Sequence, residues 1–199
     1  MDLVRNRIAA LVVVVLLVFS GSVFACVGKT IVVGTTGTVQ QDLMAQMLSL
    51  LITERTGTTV KIVKLDSSQA AHKALLKADL DMYVEYTGVG QVLILQKDAI
   101  ADTAQLYKAV KATYNEELNL IWLKPLGFEN KSVGPAGVAA EAAPVVRKDT
   151  LKKFPALARL INKLGGRIDT ATLAKLETAA SDGDSKKVAR EFLRQNRLI

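Results

Sequence analysis

The chain has 199 residues, half of them hydrophobic, with 26 Lys and Arg against 19 Asp and Glu and a formal net charge of +7. The basic residues are spread among acidic ones, with no arginine-rich run and no aromatic–basic interleaving, which excludes the usual footprint of a nucleic-acid interface. A single cysteine and a single histidine exclude an intramolecular disulfide and a Cys/His metal centre, and no cofactor is expected.

Residues 1–25 read as an export signal. Arg5 and Arg7 form a positive n-region, Ile8 to Phe19 is an almost unbroken apolar run, and Ser20 to Ala25 supplies small residues for cleavage. The run is shorter than the roughly 20 apolar residues that span a bilayer, so cleavage and release into the periplasm or cell envelope are expected. Cys26 follows the junction and leaves two readings open, a lipidated cysteine that anchors the protein and ordinary signal cleavage.

Beyond the signal, Lys29 to Gly34 is apolar and β-branched and predicts a buried first strand. Thr35 to Thr38 is a turn. Val39 to Arg55 places Leu43, Met44, Met47, Leu48 and Leu51 on one helical face, and Thr56-Gly57 ends that helix. Thr59 to Lys64 is the second strand. Ser67 and Ser68 open a helix from Gln69 to Lys77. The third strand, Leu80 to Glu85, delivers Tyr86-Thr87-Gly88 to its C-terminal end, where ligands sit in an open parallel sheet. A short helix over Val89–Gln96, a longer one over Thr103–Leu118 and a strand over Asn119–Leu123 come next.

From Glu129 to Ala143 the pattern lapses into small residues, and this stretch is expected to be a lightly packed linker. A strand returns at Pro144–Arg147. Three helices close the chain, over Thr150–Leu164, Thr170–Ser181 and Ser185–Gln195, with Asp149, Asp169 and Asp184 placed to cap them. The alternation of strand and helix predicts a single α/β domain over residues 26–199, with a mostly parallel sheet of about five strands and helices on both faces.

The chemistry points away from an enzyme. His72 stands in an Ala-rich helix without a Ser or Asp partner in sight, and Gly34 to Gly37 has neither the dinucleotide-binding spacing nor the Lys-Ser/Thr of a P-loop. No metal ligand set can be assembled.

Three stretches carry a resemblance: Leu75 to Gly88, Trp122 to Asn130, and Ala143 to Asp149 leading into Lys163 to Asp169. They resemble the substrate-binding proteins of ABC importers for glycine betaine, choline and proline, the quaternary amine uptake family. The resemblance implies a periplasmic-binding-protein-like lobe and an exported, non-catalytic component that hands a small quaternary-ammonium or amino-acid-like solute to a permease. Such solutes are commonly held against aromatic faces by cation–π attraction. The residues implied at the ligand are Tyr86 and Thr87 of the third-strand turn, Gln41 of the first loop and Ser68 of the second.

The sequence also departs from the family. Thr36 and Thr38 stand where the first loop usually carries a lysine and an aromatic, and Lys131-Ser132-Val133 stands where a cage tyrosine follows. In the family a whole lobe separates the two hinge strands that Phe128–Asn130 and Pro144–Arg147 resemble, and residues 131–143 leave no room for a domain. Two functions follow: a solute-binding component reduced to one lobe, whose cleft a second chain would complete, and an exported interaction or scaffold protein that kept the fold and lost solute binding. With one lobe, the turns after the first three strands should form an open, solvent-exposed shelf.

Overall fold

The computed structural model describes residues 30–130 and 132–199; the export signal and Cys26 lie outside the described residues. Apolar, β-branched runs form the first half of the sheet. β1 (Ile31–Thr35) leads to Thr38, whose side chain accepts from Gln41 N and caps α1 (Val39–Thr56). Gly57 ends α1 in the left-handed region at φ 69°. β2 (Val60–Lys64), α2 (Ser68–Leu76, capped by Ser67) and β3 (Met82–Tyr86) follow. β1 pairs in parallel with both β2 and β3.

Past β3 the chain makes a π-helical turn over Val89–Ile94, where the sequence predicts an ordinary helix. It continues through α3 (Thr103–Glu117) and β4 (Leu120–Trp122) to β5 (Ala142–Arg147). The strand order is β2-β1-β3-β5-β4. β5 is antiparallel to both neighbours, so the sheet is mostly but not wholly parallel. Among the described residues the link from β4 to β5 contains no crossover helix, which a parallel return would need.

The stretch expected to be a light linker, residues 129–143, is held at both ends. Asn130 N donates to Ala140 O (3.0 Å) and Ala142 N donates to Phe128 O (3.2 Å), while Ala140, Ala142 and Ala143 are buried. Only its middle, residues 132–139, forms turns at the surface.

The C-terminal helices are α4 (Lys148–Lys153), α5 (Leu157–Ile161), a 3₁₀ turn over Asn162–Leu164, α6 (Thr170–Ser181) and α7 (Ser185–Gln195). Pro155 breaks the first of the three expected helices, because it pushes Phe154 out of the helical region (φ −129°, ψ 76°). Asp169 and Asp184 cap α6 and α7 as expected. Asp149 does not cap α4; it lies in the first turn and its carboxylate meets Lys152 Nζ at 3.1 Å.

Alternation along β3 divides the interior in two. Met82, Val84 and Tyr86 face a core shared by α1 and the C-terminal helices. Tyr83 faces a second core with α2, α3, Trp122 and Val145. Helices α5, α6 and α7 pack against α1. This explains why Leu50 and Ile52 are buried in addition to the expected face.

Glu85 is fully buried, and its Oε1 accepts from Tyr86 N (2.8 Å) and Ser68 Oγ (3.3 Å). Loss of solvent pushes its carboxyl up to about 7, against the opposing pull of those bonds. The folded chain then holds the proton more tightly than the unfolded chain, so stability falls as pH rises from the ordinary carboxylate range through about 7. The loss is on the order of 3 kcal/mol. Glu85→Gln cannot ionise, so its advantage in thermal melts should grow from about pH 5 and level off by about pH 8. A difference independent of pH would contradict this account.

Gly88 is constrained by space. A Cβ there would stand 2.5 Å from Ala139 O, so Gly88→Ala should displace the 132–139 turn and cost about 1–3 kcal/mol in urea unfolding. Unchanged stability would mean that the turn yields freely.

Candidate functional site

The C-terminal ends of β1 and β3 and the start of α1 meet the first half of α6. Tyr86 closes β3 with its ring buried, and burial pushes its phenol above the ordinary range, so at neutral pH the hydroxyl is a donor. It donates to Gln40 Oε1. Asn130 Nδ2 donates to the same oxygen at 3.0 Å. Gln40 Nε2 in turn donates to Glu177 Oε1 on α6 at 2.9 Å. Four residues from four segments therefore form one connected network.

Gln41, Ser68 and Tyr86 line one cavity of about 240 Å³, together with Thr36, Thr38 and Glu177. A neighbouring cavity of about 900 Å³ shares Gln40, Asn130 and Glu177 and adds Phe128, Glu129 and Glu141. The turns after the first three strands do converge, as parallel strands require. The shelf they form is exposed only in part: Thr38 and Asp66 are exposed, but the residues at its centre are not. Tyr86 and Gln41 are each 4% exposed, because α6 and the residues around Asn130 cover them.

The expected site residues have different structural roles. Gln41 Nε2 donates to Val84 O (3.1 Å), tying the start of α1 to β3. Ser68 is half-buried, and its hydroxyl is bound to Glu85. Thr87 is not brought to the cavity. It is fully buried, and its hydroxyl accepts from Glu141 N (3.2 Å), fixing the β3 turn to the chain entering β5.

Sequence reasoning missed Gln40, Asn130 and Glu177. Gln40 is half of a glutamine pair at the start of α1, a local signal that was available. Asn130 ends a block that carries the resemblance. Glu177 has no local mark, since it reaches the site only through the packing of α6. Among the described residues no group of three or more His, Cys, Asp or Glu is placed to hold a metal ion, and no helix is long and apolar enough to cross a membrane.

The family model for the substrate-binding domain of ABC-type glycine betaine transport systems, OpuAC, matches residues 29–133 and 131–195. The carnitine transport binding protein OpuCC of Listeria monocytogenes serotype 1/2a (strain 10403S) is 33% identical over 127 residues, covering 63% of this chain and 38% of that protein. The ergothioneine transport permease/ergothioneine binding protein EgtU of Helicobacter pylori (strain G27) is 31% identical over 103 residues, 51% of this chain and 18% of that protein. The chain thus spans under two fifths of the length of these curated relatives.

Among solved structures, a glycine betaine/carnitine/choline ABC transporter protein aligns with TM-score 0.78 at 17% identity, covering 85% of this chain and 98% of that one. Apo YehZ from Escherichia coli aligns with TM-score 0.76 at 17% identity, over 86% of this chain and 100% of that one. At that identity both likenesses speak for the fold alone. The family match covers nearly all of the described residues and consists of solute-binding transport proteins rather than enzymes. This chain belongs to the family of substrate-binding domains of ABC-type glycine betaine transport systems.

Proposed function

We propose that this protein is an exported solute-binding component of an ABC importer for osmoprotectant-type amine solutes, reduced to one lobe, and that its solute site is the cavity at Tyr86. The observation that carries this reading is the network of Tyr86, Gln40, Asn130 and Glu177, which joins the two halves of the chain around that cavity. The one-lobe reading draws support from the family match, which falls in two adjoining stretches with their seam at residues 131–133. Residues 129–143 then stand in the place of the second lobe. Export rests on the signal pattern of residues 1–25, and lipid attachment would use Cys26.

Energetics limit what one lobe achieves. A single aromatic face contributes roughly 0.5–2 kcal/mol to holding a cation, while micromolar binding needs about 8 kcal/mol. Hydrogen bonds from the polar lining add to this, but a solute with one side in water keeps part of its hydration. A permease or second chain that covers the cavity would raise the affinity.

Isothermal titration of the isolated protein with glycine betaine, choline, carnitine and proline tests the reading. At least one should bind with a dissociation constant between about 1 μM and 1 mM, and Tyr86→Ala should abolish the heat while the variant still melts cooperatively. No heat from any of them, nor from primary or secondary amine solutes, would favour the interaction protein that kept the fold and lost solute binding.

A further inference from the structure

The cavity at Tyr86 differs from an aromatic cage in its chemistry. Tyr86 is the one aromatic residue among the described residues lining the smaller cavity, and the remaining polar lining there is hydroxyl, amide and carboxylate. Tyr86 has its hydroxyl committed to Gln40. In the adjoining cavity Glu129 and Glu141 join Glu177, which lines both. Burial, with the charge of Glu129 beside it, pushes the Glu141 carboxyl up, as expected where negative charge gathers in a poorly solvated space.

Such a lining attracts a cation but rewards N–H donors. A quaternary nitrogen is surrounded by methyl groups and gives an amide or carboxylate oxygen no hydrogen to accept. It would strip water from these acceptors and return only a diffuse charge interaction. An ammonium or guanidinium bearing N–H groups replaces each lost water contact with a charge-assisted hydrogen bond. Glu177 is the residue best placed to receive one. Its Oε1 is held by Gln40 Nε2 at 2.9 Å, which orients the carboxylate, and it lines both cavities.

We infer that the solute carries its positive charge on a nitrogen with N–H bonds to donate, a primary or secondary ammonium or a guanidinium, and that Glu177 selects it over quaternary ammonium solutes. This rests on the solute-capture reading above. It assigns to Glu177, on the C-terminal half of the chain, a specificity role that the first three strand turns do not supply.

The test is a methylation series, in which each added methyl removes one N–H while the charge stays constant: ethanolamine, N-methylethanolamine, N,N-dimethylethanolamine and choline, titrated calorimetrically into the purified protein. Affinity should fall along the series, with ethanolamine binding at least about tenfold more tightly than choline, the effect of losing one charge-assisted hydrogen bond. Glu177→Gln keeps an oxygen for Gln40, so it should fold with an unchanged thermal midpoint and flatten the series, losing about tenfold for ethanolamine and little for choline. Choline binding as tightly as ethanolamine or more tightly would overturn the inference and leave solute capture standing. A falling series that Glu177→Gln leaves intact would remove Glu177 from the role. No binding by any of the four, nor by glycine betaine, carnitine or proline, would overturn solute capture and the inference with it.

Discussion

The antiparallel pairing of β5 with β3 determines where everything after residue 128 can go. Met82 to Tyr86 runs beside Val146 to Ala142 in unbroken register, so the chain that leaves the sheet after β4 re-enters between β3 and β4 rather than at an edge. That re-entry fixes the start of α4, and through α5 it leads α6 and α7 back across α1. Without this pairing the helices from Leu157 onward would have no apolar partner for Leu160, Leu173 or Leu193, all of which are buried in the core around α1. The site depends on the same constraint. Glu177 lies 137 positions from Gln40 in the chain, and only the return through β5 brings α6 to the start of α1.

Parts of the fold governed by local chemistry were legible in the sequence. β1, α1, β2, α2 and β3 fall within a residue or two of their expected limits, because side-chain periodicity and the caps at Thr38 and Ser67 act over a few residues. The direction of β5 was legible only indirectly: the small-residue stretch before it offers no crossover helix, and the strand–helix alternation elsewhere outweighed that sign. The π-helical turn after Gly88 was also hidden. It fits the close approach of Gly90 to Trp122, where a Cβ would stand 2.8 Å from the indole ring, and that contact joins residues far apart in sequence. The break at Pro155 is a different kind of case, because the proline states it plainly and the helical periodicity on either side masked it.

The site shows the same division. Convergence of Gln41, Ser68 and Tyr86 follows from three strands that point the same way, and that much is a topological rule applied to sequence. Their burial does not follow from it. A lobe considered alone suggests an open rim, yet α6 and the residues around Asn130 lie over Tyr86 and reduce it to 4% exposure. The cover comes from the C-terminal half of the same chain, so part of the enclosure that a facing lobe would provide is supplied from within.

The burial of these residues also means that the site and the core share the same atoms. Gln41 lines the cavity, and its amide also satisfies the carbonyl of Val84 in the centre of the sheet. Removing that amide would leave a buried acceptor unpaired at a cost of about 1–3 kcal/mol, whatever happened to a ligand. Ser68 is similar, because its hydroxyl supports the buried carboxyl of Glu85. Gln40 carries the greatest load. It accepts from Tyr86 and Asn130 and donates to Glu177, so its loss would loosen three segments at once. Glu177 differs from all of these. It is half-buried, it makes its bond at the edge of the network, and its replacement by glutamine keeps the oxygen that Gln40 needs. Charge at that position can therefore be altered without disturbing the core, which makes α6 the element of the network whose chemistry can change while the fold beneath it stays fixed.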